Sequence, residues 1–450
     1  MANEGNETSG DLWEPTRSAS KKQQERRLEN VKTVRPVNRR TILKTLAGVG
    51  AGSVLGAPMI WAQSLKDVSL MHVGPSYSIF ADIAAAASAD LGFKVEMQNA
   101  WTDAIMARVI GQPETIDIAD LEFWALQRIW RSQKLQAIDT AKITNWDKII
   151  PLFREGKNFD GSDMSRQGTM PFEVQFADGT GFASAPNGKA TMMPTIFNAD
   201  TLGIRPDLIG RDVTSWAELL NPEFKGKVAL INVPQIGIMD AAMAIEARGD
   251  VTYVDKGNMT RAEIDQTIAI LIQAKQDGQF RAFWSSFDES VNFMASGEVV
   301  IQSMWSPAVT AVRGRGIDCV YKGLKEGYRG WGNGLGLMSH LEGIKLEAAY
   351  EYLNWMLTGP YGAFVARQGY YSAVPETTKA SLSPEEWDYW YGGKPAAMEI
   401  KDPFGSAMEQ PGRSRDGGSF EDRIGGIRCW NTTMDEGEYL VQRWNDFVAS

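Results

Sequence analysis

The residues able to do chemistry are few, and their spacing is wrong for most of it. Two histidines, His72 and His340, and two cysteines, Cys319 and Cys429, occur in 450 residues, too few for a Cys-built zinc or iron–sulfur site and for most His-based metal sites. The stretch Gly179-Thr180-Gly181-Phe182-Ala183-Ser184 is glycine-containing but lacks nucleophile-elbow spacing. His340 alone follows it, with no evident acid partner. No phosphate loop or dinucleotide fingerprint occurs. The residues carry no hydrolase, metal-enzyme or nucleotide signature, and no cofactor is expected.

The elements that must position a binding site are legible from periodicity. A strand from residue 68, a helix over 77–90 and a strand over 93–97 form a βαβ unit. A helix over 103–110, a strand over 116–119 and a helix over 122–131 repeat the pattern. After a Gly/Pro/Asn-rich stretch, 178–189, come a helix at 216–219, a strand at 227–231, and long helices at 240–248 and 261–277. Strands at 298–303, 318–321 and 334–339 and a helix at 345–357 complete the pattern. The class is α/β with a largely parallel sheet. Beyond residue 383 periodicity is weak.

Composition agrees with a large folded chain: 43% hydrophobic, 23% charged, enough for two domains. The net charge of −10 argues against a nucleic-acid partner. It is unevenly spread, because residues 1–62 hold 10 Lys/Arg and 6 Asp/Glu, so the remainder carries −14. In the leader, Asn38-Arg39-Arg40-Thr41-Ile42-Leu43-Lys44 precedes an uncharged Gly/Ala-rich stretch, 45–62. This resembles a twin-arginine export signal, cleaved after Ala62. The other reading of the same stretch is a single N-terminal membrane anchor.

Three stretches carry a family resemblance. Residues 135–139 (LQAID) with 143–151 (ITNWDKIIP) form the first, and 214–228 (TSWAELLNPEFKGKV) the second. Residues 297–306 (GEVVIQSMWS), 315–321 (RGIDCVY) and 369–375 (GYYSAVP) form the third. Together they resemble the periplasmic solute-binding proteins of ABC importers, in particular the spermidine/putrescine-binding branch. The resemblance implies the two-lobed periplasmic-binding-protein fold (type II), with a ligand cleft between lobes joined by crossing hinge segments. On that frame residues 1–62 are the signal and its extension, 63–192 the first lobe and 193–330 the second. Residues 331–380 return to the first lobe, and 381–450 are an extension packing on both.

The function this resemblance implies is capture of a small polyamine-like, amine or quaternary-ammonium, or other polar solute in the cleft and its delivery to an ABC permease in the cytoplasmic membrane, by a monomer that reaches the periplasm through the twin-arginine translocase. A twin-arginine-exported enzyme and a ligand sensor of the same fold are the rivals. Family pockets pair aromatic rings with carboxylates around polyamines. Trp305, Trp331, Trp101 and one of Tyr370 and Tyr371 fall at such ring positions, although each tryptophan also suits core or hinge packing. Where the family has a ligand-binding aspartate the chain has Asn333, and the second-lobe turn with Asn232 and Gln235 has no acid at all. Asp120 and Glu122, after the strand at 116–119, are the compensating carboxylates. That set suits a monocation, a zwitterion such as a quaternary or small amine, or a polar neutral solute better than a dication. Cys319 and Cys429 are either bridged or two buried thiols.

Overall fold

The computed structural model describes residues 65–450, which form one compact unit. The expected export leader lies outside the described residues. The principal strands are β1 (Ser69–Gly74), β2 (Lys94–Asn99), β3 (Ile118–Glu122), β4 (Met193–Ile204), β5 (Val228–Ile231), β6 (Phe280–Trp284), β7 (Ile301–Met304), β8 (Tyr328–Met338) and β9 (Ile427–Trp430). Their order across one sheet is β6-β5-β7-β4-β8-β3-β1-β2, with β9 added to β8. The fold is α/β, in two halves that share β4 and β8.

The sheet is mixed and not largely parallel. Each half keeps a parallel core, β1 with β2 and β3, β5 with β6 and β7. The long strands β4 and β8 run antiparallel to each other and to their outer neighbours β7 and β3. Both are buried along their whole length, so neither shows the alternation that marks a half-exposed strand. This is why β4 gave no signal in the sequence.

Helices flank both halves. In the first half α1 (Ala81–Leu91) and α2 (Thr102–Gly111) come after β1 and β2. In the second, α3 (Pro234–Arg248), α4 (Arg261–Gln276), α5 (Phe287–Ser296) and α6 (Ser306–Gly314) surround β5 to β7. Thr260 with Glu263, and Ser286 with Glu289, form capping boxes that start α4 and α5. Proline at the first position lets α3 begin at Pro234, six residues earlier than periodicity suggests. Period-two alternation along β5 splits the second half's packing: Val228 and Leu230 face one core, Ala229 and Ile231 the other. The helix expected at 122–131 begins one residue later, because β3 continues to Glu122, and it runs as joined 3-10 and α turns over 123–132.

The segment beyond residue 383 is regular where the sequence showed little pattern. Phe420, Ile424, Ile427 and Trp430 enter the first half's core. A terminal helix, Gly437–Ala449, buries Leu440, Trp444 and Phe447 in the second half's core. Each such apolar side chain contributes roughly 1.5–3 kcal/mol of burial. Cys319 and Cys429 are buried and free; they sit in different cores, which removes the disulfide alternative. Among the described residues no helix is long and apolar enough to cross a membrane.

Candidate functional site

Where β8 passes between the halves, three rings converge. Trp331 lies with its ring centroid 5.3 Å from Tyr77 and 5.6 Å from Tyr370, and those two tyrosines are 5.7 Å apart. Tyr77 comes from the turn after β1 and Tyr370 from the loop after the helix Gly359–Arg367. Trp331 is buried and both tyrosines are partly exposed. Such a ring cluster offers π faces to a cation.

A polar chain runs under the rings. The Tyr77 hydroxyl donates to Asn333 Oδ1 at 2.9 Å, and Asn333 Nδ2 donates to Asp120 Oδ1 at 2.9 Å. The other Asp120 oxygen lies 3.5 Å from His72 Nε2, and His72 Nδ1 is 2.7 Å from the Tyr352 hydroxyl. Asn333, Asp120 and His72 are fully buried. Gly74 makes the close approach possible, because a Cβ there would stand 2.8 Å from Asp120 Cβ. Asn333 is thus the neutral isostere that a neighbouring carboxylate calls for: it bonds Asp120 without repelling it.

Asp120 and Glu122 are corrected from positions after the strand to positions in it. Two residues apart on β3, they point to one face, and Glu122 registers with Asn333 across the ladder. Burial holds the Glu122 carboxyl above its usual range, against the opposing pull of Asn431 and Arg329. Burial, with Glu122 and Asp120 nearby, holds the Tyr77 hydroxyl well above its ordinary value, so it stays a donor.

Behind the rings is a buried ion cluster. Arg329 Nε donates to Asp240 Oδ1 at 2.7 Å and Arg329 Nη2 stands 3.5 Å from Asp200. Burial works against the Arg329 cation, and the two facing carboxylates more than offset it. Burial pushes Asp200 up to about 6, against Arg329 and the donating Tyr321 hydroxyl. The cluster ties β8 to β4 and α3, so the strand that carries Trp331 and Asn333 is anchored on both halves.

On the second half, Trp305 starts α6 and packs edge-on to Trp284 at 4.9 Å. The next residue, Ser306, donates to the Gly369 carbonyl at 3.4 Å, which brings this corner beside Tyr370. Asn232 and Gln235 occupy the turn into α3, partly buried, and Asn232 Oδ1 accepts from Trp444 Nε1 at 2.9 Å.

Two expected site residues fall elsewhere. Tyr371 is fully buried among Phe197, Tyr391 and Phe420, under the Arg415 guanidinium. Backbone extension at Tyr371–Ser372 sends adjacent side chains opposite ways, so only Tyr370 joins the rings. Trp101 stands 53% exposed at the start of α2 and joins no ring contact among the described residues. Sequence reasoning missed Tyr77, Arg329, Asp200 and Asp240. Tyr77 lies just past a strand end, the same signal that drew attention to Trp101; the three charges carry no local signal. Among the described residues no group of three or more His, Cys, Asp or Glu is placed to hold a metal.

A model of the bacterial extracellular solute-binding proteins matches residues 82–391. The chain belongs to that family. The spermidine/putrescine-binding periplasmic protein of Escherichia coli K12 is 25% identical over 254 residues, 56% of this chain and 61% of that protein. The chain thus spans about three-fifths of the length of the curated relatives it matches. The solved spermidine/putrescine ABC transporter substrate-binding protein of Streptococcus pneumoniae superposes with a TM-score of 0.57 at 13% identity, over 85% of this chain and 97% of that one. A lipoprotein of Treponema pallidum gives 0.58 at 11%, over 85% and 98%. These likenesses show the two-lobed binding-protein fold for this member of the family.

Proposed function

We propose that this solute-binding protein is the substrate-binding component of an ABC importer, reached by twin-arginine export to the periplasm, and that its solute is a small monocationic or zwitterionic amine. One observation carries the solute class: the Tyr77–Trp331–Tyr370 ring cluster stands over Asn333 with one partly exposed carboxylate, Glu122, beside it. Rings and a single accessible acid suit one ammonium group. Asp120 is sequestered by Asn333 and His72, and Asp200 and Asp240 face Arg329. The second-half candidates, Asn232 and Gln235, are amides, and a second ammonium desolvated without a carboxylate costs several kcal/mol.

The fold supports capture between two halves whose closed form a permease reads. The E. coli relative's name gives the periplasmic setting and the polyamine comparison, and that of the S. pneumoniae protein gives the ABC transporter setting. Calorimetric titration with choline, glycine betaine, γ-aminobutyrate, putrescine and spermidine tests the reading. Tight binding of one of the first three supports it. Tight binding of putrescine or spermidine alone sinks the monocation assignment, and turnover of any of them sinks the binding role.

A further inference from the structure

The chain beyond residue 391 lies outside the matched family model, yet it reaches the candidate site from two directions. β9 pairs in parallel with β8 at Tyr328–Gly330, immediately before Trp331. Gly330 admits it: a Cβ there would stand 2.7 Å from the Trp430 ring. The next residue, Asn431, is buried and committed at both ends of its amide. Its Nδ2 donates to Glu122 Oε2 at 2.8 Å, its Oδ1 accepts from Arg329 Nη1 at 2.6 Å, and its backbone N–H donates to the Gly330 carbonyl at 2.8 Å. Thr432 and Thr169 share a buried hydroxyl bond of 2.7 Å that pins the turn.

The chain then enters the terminal helix α7 (Gly437–Ala449) on the second half, packed against α3 and α4. There Trp444 Nε1 donates to Asn232 Oδ1 at 2.9 Å. Gly237 makes room, since a Cβ at that position would stand 2.3 Å from the Trp444 ring. One short segment therefore holds a site side chain on each half: Glu122 through Asn431 and Asn232 through Trp444.

Resting on the binding function proposed above, we infer that the C-terminal segment is a component of the ligand site, with Asn431 and Trp444 as positioning residues that set the Glu122 carboxylate and the Asn232 amide. An amide with both ends bonded has one rotamer, and it fixes which Glu122 oxygen is turned away from the solute. The indole N–H on Asn232 Oδ1 does the same for that amide, leaving its NH2 to face outward. Solute preference in this protein is then set in part by a segment beyond the residues its family model matches.

Double-mutant cycles in the full chain test this, with choline, γ-aminobutyrate and putrescine as titrants in calorimetry. For whichever of the three the wild type binds, N431L weakens binding at least tenfold, E122Q does likewise, and the double variant is no weaker than E122Q. W444F, which keeps an aromatic ring but drops the indole N–H, weakens binding at least threefold and adds nothing to N232A. Multiplicative losses in both cycles, or N431L binding as wild type, overturn the inference. Should N431L not fold, N431S, too short to span Glu122 and Arg329, takes its place.

A ligand-free readout separates this inference from the function it rests on. Glu122 is faced by Asn431, Arg329, Asp200 and Tyr77. Removing the Asn431 donor moves the Glu122 titration, followed by carboxyl carbon NMR, to higher pH in N431L. An unmoved midpoint overturns the tail's role. Wild type failing to bind all three compounds, with the midpoint moved, overturns only the proposed function.

Discussion

Replacing Asn333 by aspartate tests the central contact of the site. The substitution is isosteric and keeps the Tyr77 hydroxyl bond, but places a second carboxylate 2.9 Å from Asp120 Oδ1, where an amide N–H now donates. At that separation and an effective dielectric of about 20, two full charges repel by about 6 kcal/mol. The cluster escapes by taking up one proton. On the introduced carboxyl, of ordinary pKa near 3.9, holding it at pH 7.5 costs about 5 kcal/mol. The raised folded-state pKa of that carboxyl makes the variant's deficit large at neutral pH and smaller on acidification, with a recovery of about 3 kcal/mol by pH 5. N333L, in contrast, leaves the Tyr77 hydroxyl and Asp120 Oδ1 without their Asn333 partner, for about 1–3 kcal/mol each. Urea unfolding of wild type and both variants at pH 5.0 and 7.5 measures this. An N333D variant as stable as wild type at pH 7.5, or equally weakened at both pH values, refutes the contact.

Asp200 raises a separate pH effect. Its folded pKa of about 6 lies above the ordinary 3.8, so its stabilising share is present in acid and lost as pH rises through about 4 to 6. Wild type should lose roughly 1–2 kcal/mol from this source between pH 5 and 7.5, and D200N should lack that component; an unchanged pH slope in D200N refutes the assignment. Trp331→Leu removes a π face from the ring cluster at modest change in burial, and choline binding should weaken roughly 2- to 30-fold, with retention of full affinity excluding Trp331 from the site. Burial pushes both Cys319 and Cys429 up to about 12, so neither should react with a thiol reagent in the folded protein at pH 8 and both should react in guanidinium without reductant. A zero thiol count in the denatured, unreduced chain refutes the free-cysteine structure.

Much of the fold was legible because alternating elements announce it. β1, β2 and α2 lie within a few residues of where period-two and period-3.6 patterns put them. The capping boxes at Thr260 and Ser286 are local chemistry readable in any sequence. β4 was not legible because burial on both faces erases alternation, and the terminal helix was overlooked although Leu440, Trp444 and Phe447 recur at helical spacing. Of the site, Trp331, Asn333, Tyr370, Asp120 and Glu122 were reached through resemblance and strand-end position. Tyr77 was placed inside a helix, and Tyr371 and Trp101 were included where geometry sends one to the core and leaves the other at the surface.

The order of elements, the scarcity of His and Cys, and the charge divided between a basic leader and an acidic body are properties of the chain itself. They argue against a Cys-built metal site and most His-based ones, while the binding role came from the resemblance carried by the stretches at 135–151, 214–228 and 297–375. Which side chains meet was a tertiary matter, because each decisive contact joins residues far apart in the chain. Asn333 reads as a lost acid until Asp120, brought beside it by β3 pairing with β8, shows why an amide sits there. Arg329 is unremarked until β4 and α3 place Asp200 and Asp240 against it. The tail's helix had a periodic signal but its contacts had none, and only packing delivers Asn431 to Glu122 and Trp444 to Asn232, since hydrogen-bond partners separated by hundreds of residues leave no periodic trace.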